Sequence, residues 1–519
     1  MKKIKLTDKE QYILELLSAG LTNPEISAKH NISVNTVKYH LKKIYGILEV
    51  KNRVEAAGWY MNHCKNKSKT NPYLKSNTMK NLISLRSLII VIFITLFYSG
   101  TKAQLSGNYT IGKGGDFETF TEASAELNKV GVSGPVTFLV SSGIYEEQFT
   151  LGTISGAEPF RPIIFRSETG NPEDALLRFT PTSTDNNYIV HLQGCQFVEF
   201  KHLGFEVLDF GRVFLLDFSA SHIVIDSCHL SGIFGTSSSV EQALIFSSDP
   251  DLENLTLAGN RFSNCGYGTY IQGGFNSPIP GIRILDNTFV NAGYTAVHLN
   301  TVENPVITGN IISDGYYGIH ITSGLNSLSI LKNQVFTKTV GIRVNYHNNQ
   351  DPGLVANNFI VVEGTGDAYG LDIQNSSNIN VYHNSVVIRS GQGGSKAFSC
   401  VSNTQGTVNV VNNSFSCMDE GYASYVNYPA TIQRSDFNNY YSASNMMFKW
   451  GENLYDLPDL KNLSNEDDHS ISVYPNHTSD TNLHVHTKWL ARKGTFLAEV
   501  TDDIDGDLRN TEHPDIGAD

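Results

Sequence analysis

Short apolar strings aligned on an asparagine recur through the second half of the chain, at Asn260, Asn287, Asn310, Asn333, Asn357, Asn384 and Asn413, with successive gaps of 27, 23, 23, 24, 27 and 29 residues. A second set keeps phase with them: YGTYI from Tyr267, YTAVHL from Tyr294, YGIHI from Tyr317, VGIRV from Val340 and YGLDI from Tyr369. Two strings in phase at this period describe a solenoid, because one repeat cannot bury its apolar face alone and must stack on its neighbours. The shorter gaps suit one coil, and the longer ones add loop residues at turns. The repeated asparagine is expected at a turn, in left-handed backbone geometry, with its amide stacked on that of the next coil, which makes it structural before anything else.

A solenoid needs closed ends, since an open one exposes unpaired strand edges and apolar interior. The segment GNYTIGKGGDFETFTEASAELNKVGVSGPVTFLVSSGIYEEQFTL, Gly107 to Leu151, reads as strand, Gly-rich turn, one amphipathic helix near Phe120 to Lys129, then strands. It resembles the opening cap of right-handed parallel β-helix proteins of the pectin-lyase-like class. That resemblance implies an all-β right-handed parallel β-helix over residues 104–519.

The closing DDIDGDLRNTEHPDIGAD is similar to the ending found after many bacterial surface β-helices. Asp502, Asp503, Asp505 and Asp507 around Gly506 superficially resemble a calcium loop. Arg509 intrudes among them, however, and no metal is expected.

Relatives of this fold cleave or de-esterify polysaccharide with paired carboxylates, or with calcium plus a basic residue. Asp226, Asp286, Asp314 and Asp372 are candidate carboxylates, with His298, His320, Arg283 and Arg343 as companions one repeat away. The Asn-Thr-Asp, paired-Asp and Gly-His-Gly strings of polygalacturonases are missing, as are the carboxylate strings and Arg-Trp motif of pectin esterases. Solvated or turn roles are therefore expected for these side chains, and no catalytic residue is assigned. If the β-helix has an activity, a polysaccharide lyase or glycoside hydrolase is the class it would hold.

Charge divides the chain. Residues 1–80 carry 15 Lys+Arg against 6 Asp+Glu, whereas the remainder carries 23 against 45. A basic module fits a polyanion such as nucleic acid, and an acidic surface fits a soluble exterior protein that avoids it. Thr7 and Glu10 have capping-box spacing ahead of Ile13, Leu14, Leu16 and Leu17, and Gly20 stops that first helix. Thr22 and Glu25 repeat the spacing around Pro24, with Ile26 on the buried side and Asn31 at the end. Ser33 caps a third helix, Val34 to about Ile47, with Val37, Leu41, Ile44 and Leu48 on one side and Asn35, Lys38, Tyr39, Lys42 and Lys43 on the other. That polar, cationic strip is of the kind that enters a major groove.

The segment LTDKEQYILELLSAGLTNPEISAKHNISVNTVKYHLKKIYGILEVKNRVEAAGW, residues 6–59, resembles the LuxR-type helix-turn-helix domain. By position the resemblance implies that Lys38, Tyr39 and Lys42 touch double-stranded DNA, that Thr36 sits where the recognition helix nears the backbone, and that a fourth helix, Arg53 to about Met61, forms a homodimer. A more apolar residue near His30 and a Lys or Arg near Asn23 would be usual. Such modules normally follow a regulatory domain, and here the sequence starts at the module.

The expected organisation is multidomain: an all-α helix-turn-helix module over 1–65, a basic linker over 66–81, an apolar segment over 82–103, and the solenoid. SLIIVIFITLFYSG, from Ser87 to Gly100, follows Lys80 and Arg86 and precedes a small-residue site at Thr101-Lys102-Ala103, which is a signal-peptide pattern. As an uncleaved anchor it gives an inner-membrane regulator with a cytoplasmic DNA-binding end and an extracytoplasmic β-helix that binds glycan or a surface partner. As a cleaved signal opening at Met79 it gives a secreted or cell-surface β-helix, adhesive or polysaccharide-active, preceded by a fused or mis-started module. Six cysteines, Cys64, Cys195, Cys228, Cys265, Cys400 and Cys417, show no metal-ligand spacing, and both disulfides and buried thiols remain open. No cofactor is expected.

Overall fold

The computed structural model describes residues 6–18, 21–30, 34–48, 50–63, 103–444, 447–464, 466–485 and 488–519. The chain divides into two units, residues 1–100 and 101–519. The linker, all but the last residue of the apolar segment, Cys64, Gly20, Asn31 and Ser33 lie outside the described residues.

In the first unit four helices, α1 (Asp8–Ser18), α2 (Asn23–His30), α3 (Val34–Leu48) and α4 (Arg53–His63), enclose one small core. Ile13, Leu14, Leu16 and Leu17 of α1, Ile26 of α2, Val37, Leu41, Ile44 and Leu48 of α3 and Ala56 of α4 are buried together. The apolar steps in the sequence thus mark the inner faces, as the helical period requires. The capping box forms: Thr7 N–H donates to Glu10 Oε2 at 2.9 Å, and Glu10 N–H to Thr7 Oγ1 at 3.3 Å. Arg53 fastens α4 to the turn before α2, donating to Leu21 O and, at 3.3 Å, to Asn23 Oδ1. Asn23, unusual for the family that the segment resembles, therefore has a structural partner here.

The second unit is a parallel β-solenoid. Its opening strand, Leu105–Ile111, pairs with Val132–Val140 and begins a sheet of 13 strands that ends at Ile432–Asp436. Each later coil adds one strand to this sheet and one to each of two further faces. Between Arg261 and Asn345 those two faces share single strands of 12 or 13 residues, which turn the corner at register shifts such as Cys265/Tyr267. Inward side chains stack from coil to coil: the rings of Phe138, Phe165 and Phe200 lie 4.7 and 5.3 Å apart, and those of Phe262 and Phe289 4.5 Å apart. The helix Phe120–Val130 closes the open end. Thr119 accepts the Glu122 N–H at its start, and Phe120, Ala123 and Leu127 are fully buried on its inner side.

The asparagine ladder exists, with three corrections to the sequence reading. It runs Asn260, Asn287, Asn310, Asn333, Asn358, Asn384, Asn413 and Asn438, so Asn358 replaces Asn357 and one rung, Asn438, was missed. The ladder residues are also not the left-handed ones. Positive φ falls on the residue before each: Gly259, Asp286, Gly309, Lys332, Asn357, His383, Asn412 and Phe437, with φ between 52° and 71°. That residue turns the corner, which frees the next side chain to point inward along the stack. Asn310 is typical: its Oδ1 accepts the backbone and amide N–H of Asn287, both at 3.0 Å, and its Nδ2 donates to Ile284 O at 2.9 Å.

The corner residues face outward, where the tail of the chain grips them. Lys332 pairs with Asp502 at 2.6 Å, Asn357 bonds Asp502 O and the Arg509 guanidinium at 2.8 Å each, His383 donates to Gly517 O at 3.2 Å, and Asn412 exchanges two bonds with Thr495. Leu497 and Val500 cover Tyr382 and Val411, while Leu483 and Ala518 cover Phe359 and Val387. The final segment is thus a strap along the ladder corner. Asp502 faces Lys332, and Asp503 Oδ1 accepts the N–H of Asp505 at 3.0 Å and of Asp507 at 2.9 Å. Arg509 is buried, bonded to Asp502 O at 3.0 Å and to Gly517 O at 3.1 Å.

Of the two options for the cysteines, free thiols hold among the described residues. Cys195, Cys228, Cys265, Cys400 and Cys417 are all buried and unpaired. Burial pushes the thiols of Cys195, Cys228, Cys400 and Cys417 up to about 12, which leaves them unreactive packing groups.

Candidate functional site

The recognition surface of the first unit begins at α3. Because Val37, Leu41, Ile44 and Leu48 are buried, Lys38, Tyr39, Lys42 and Lys43 are turned outward, and Tyr39 is 67% exposed. Thr36 is half-buried at the start of the strip, and the Asn35 side chain lies outside those described. Lys38, Tyr39 and Lys42 therefore form a cationic patch with one aromatic ring, on a helix of 15 residues, the kind of rod that fits a major groove.

Lys43 is a different case. Its ammonium lies 2.8 Å from Glu10 Oε1, and Glu10 is only 2% exposed. The Lys43 ammonium, then the Thr7 N–H, hold the Glu10 carboxyl down to about 2. Lys43 is thus tied to α1, and its charge is largely spent inside the module. The sequence placed it in the strip correctly but gave no sign of the buried carboxylate across from it.

On the solenoid, pairing brings one row of outward side chains into register: His191, Leu215, Phe246, Tyr270, His298, His320, Arg343, Asp372, Ser399, Tyr425 and Lys449. Their flanking residues, such as Ile319 and Ile321 or Leu371 and Ile373, fill the core, so the row faces out. The neighbouring row contains Tyr267, Thr295, Tyr317, Val340, Tyr369, Lys396 and Tyr422. Here too the string alignment slips by one residue, because Thr295 and not Tyr294 stands beside Tyr267 and Tyr317.

These rows form an aromatic and cationic surface. Tyr270 stacks on His298 at 4.7 Å and Tyr317 on His320 at 5.7 Å. Arg343 lies over Tyr317 and Tyr369 at 5.6 and 5.5 Å, Lys396 over Tyr369 and Tyr425 at 4.4 and 4.8 Å, and Lys449 over Tyr425 at 5.1 Å. Burial holds His298 down to about 3 and His320 to about 4, aided by His320 and Arg343 respectively, so both rings are neutral at pH 7. Positive charge on this face comes from Arg343, Lys396 and Lys449.

Of the catalytic candidates, four meet in this row: His298, His320, Arg343 and Asp372. Asp372 is fully buried, with Oδ2 taking Arg343 Nε–H at 2.7 Å and Gln374 Nε2–H at 2.8 Å. Asp226 and Arg283 belong to the 13-stranded sheet, Asp286 is a left-handed corner residue, and Asp314 is exposed before the bend. The row contains one carboxylate, not a facing pair, as hydrolysis by an acid and a base would require. Tyr317, Tyr369, Lys396, Tyr425 and Lys449 escaped the sequence reading, although the second phased string starts on two of them.

Residues 5–60 match the family model of bacterial regulatory proteins of the luxR family, and residues 243–415 match that of the right-handed β-helix region. The module is similar to the nitrate/nitrite response regulator protein NarL of Escherichia coli, 43% identical over 54 residues (10% of this chain, 25% of that protein). It is also similar to the CsgBAC operon transcriptional regulatory protein of Escherichia coli, 44% over 54 residues (10% and 25%), and to the HTH-type transcriptional regulator AlkS of Alcanivorax borkumensis, 47% over 51 residues (10% and 6%). The chain spans less than a third of the length of these curated relatives. Among solved structures, a mannuronic acid specific polysaccharide family 6 lyase from human gut microbiota aligns at 14% identity and TM-score 0.37, covering 68% of this chain and 93% of that one. The periplasmic alginate epimerase AlgG aligns at 11% and 0.24, covering 65% and 70%. Superposition this loose says nothing of chemistry. Residues 6–59 are a LuxR-type helix-turn-helix DNA-binding domain, and the same chain continues into a right-handed parallel β-helix.

Proposed function

We propose that the chain is a membrane-tethered transcription regulator of LuxR type, which binds double-stranded DNA through α3 and carries an extracytoplasmic β-helix that binds glycan or a surface partner. The observation that carries the DNA-binding reading is the outward set Lys38, Tyr39 and Lys42 on a helix whose opposite face is buried. Its test is fluorescence anisotropy of the purified full chain on duplex DNA carrying its own upstream region. Weaker binding and a shallower salt dependence for the Lys38→Ala, Lys42→Ala double variant support the reading, and unchanged binding sinks it.

For the β-helix, the rows of tyrosines with Arg343, Lys396 and Lys449 among them support a glycan-facing surface, since sugar rings stack on aromatic faces and hydroxyls accept from cations. Retardation in polysaccharide-loaded gels, abolished by Tyr369→Ala, checks this. Tethering rests on the apolar segment between Lys80 and Gln104. A second reading, export of the β-helix alone, is favoured by the first strand starting at Leu105, just past the small-residue site. Separate tags ahead of Met1 and after Asp519 distinguish them: one full-length membrane band carrying both tags supports the tether, and a C-terminal product shortened to about Gln104 supports export.

A further inference from the structure

One carboxylate of the acidic run near the end of the chain reaches across the strap to a histidine. Asp505 Oδ2 lies 2.6 Å from His484 Nε2, and Asp519 Oδ1 lies 3.9 Å from the same nitrogen. The three ligand atoms all lie within 4.8 Å of one another. The far side of the imidazole is bonded as well. Asn482 Oδ1 accepts the His484 backbone N–H at 3.1 Å, which sets that amide as an acceptor, and His484 Nδ1 bonds to the same oxygen. Nδ1 is therefore the nitrogen that donates to Asn482. Nε2 faces two carboxylate oxygens, an arrangement that calls for a cation between them, either a proton on Nε2 or a metal ion.

The three groups are also held. Asp519 Oδ2 accepts the Val485 N–H at 3.0 Å, the Asp505 backbone bonds Asp503 Oδ1 at 3.0 Å, and the imidazole stands edge-on to Phe359 with centroids 4.9 Å apart. A second interaction on the far nitrogen is what orients histidine ligands in metal sites.

We infer that His484, Asp505 and Asp519 bind a divalent first-row transition ion, of which zinc suits the set best. One imidazole nitrogen with two carboxylate oxygens is a mixed set that favours zinc over calcium or magnesium, which prefer oxygen alone. Bonds of about 2.1 Å in tetrahedral geometry put ligand atoms roughly 3.4 Å apart. The Asp505 contact therefore opens slightly and the Asp519 contact closes, within the freedom of partly exposed side chains. The fourth position stays open to solvent. Because the ligands come from three separated stretches of the strap, the ion cross-links them over the Phe359 side of the solenoid.

The experiment is calorimetric titration of the untagged, chelator-stripped full chain at pH 7.5 with zinc chloride and, separately, calcium chloride, followed by thermal unfolding with and without each ion. One saturable zinc site is expected, weakened about 10-fold or more in both His484→Gln and Asp505→Asn, with a zinc-dependent rise in the unfolding temperature that calcium does not reproduce. Both variants must retain the far-ultraviolet β signal of the parent, and Asp505→Asn, on an exposed side chain, guards against a folding defect at His484. No saturable zinc binding in the parent overturns the proposal and leaves an ordinary proton-bridged pair. Zinc binding equally strong in both variants also overturns it, by assigning the ion to other histidines.

Discussion

The helix-turn-helix module and the β-helix use polar side chains in opposite ways. In the module, Lys38 and Lys42 stand in solvent with no carboxylate beside them among the described residues, while Glu10 and Lys43 are spent on the scaffold. In the β-helix, the most regular polar residues are buried and bonded to one another, as in the ladder, and the cations of the outer rows lie against rings or, like Arg343, against a buried carboxylate. Free charge acts at a distance and is weakened by salt. Charge held against rings acts at contact and with shape. One chain therefore contains a long-range electrostatic surface and a short-range one.

The sharpest way to break this comparison is to open the ladder. Asn310→Ala removes the acceptor for two N–H groups of Asn287 and the donor to Ile284 O, all buried, and is expected to destabilise the β-helix by about 3–5 kcal/mol. In urea unfolding of the full chain the β transition shifts while the helical one stays. An unmoved β transition would mean that the ladder is ornamental.

Acid comes next. His298 and His320 have folded values below the ordinary 6.5, so the unfolded chain binds their protons first; their contribution is whole above pH 6.5 and is lost as pH falls toward 4 and 3. The loss is on the order of 3 kcal/mol for each at pH 4. Replacing both by Phe should flatten the β transition between pH 6.5 and 4, read by circular dichroism.

On the module, the Lys38→Ala, Lys42→Ala pair is expected to weaken DNA binding by about 10- to 100-fold near 0.1 M salt, and to lower the slope of log K against log salt by about 2. Lys43→Met separates scaffold from surface. It should leave that slope within about 0.5 of the parent while lowering the midpoint of the helical transition, because the buried Glu10 carboxylate loses its partner. A slope change as large as that of Lys38→Ala would return Lys43 to the DNA.

The module was legible almost residue by residue. Its apolar steps, capping box and outward strip are local, set by a 3.6-residue period that the sequence displays directly. Lys43 shows the limit, because Glu10 lies 33 positions away and only packing brings the two together. In the solenoid the existence of coils was legible and the register was not. Asn357 and Asn358 are adjacent and both polar, and which one turns the corner depends on the strand it leaves; the same ambiguity displaced Tyr294 against Thr295. A shift of one residue in a strand exchanges inside for outside.

What the sequence determined by itself is the division into a basic helical module and an acidic solenoid, together with the helix faces and the period of the coil. These follow from composition and from periodicities shorter than one repeat. The tertiary structure decided which asparagine of each repeat enters the ladder, which cations are free, and how the tail crosses the corner to bring His484, Asp505 and Asp519 together. Each of these depends on groups that meet only after stacking and fold-back, across separations no local pattern records.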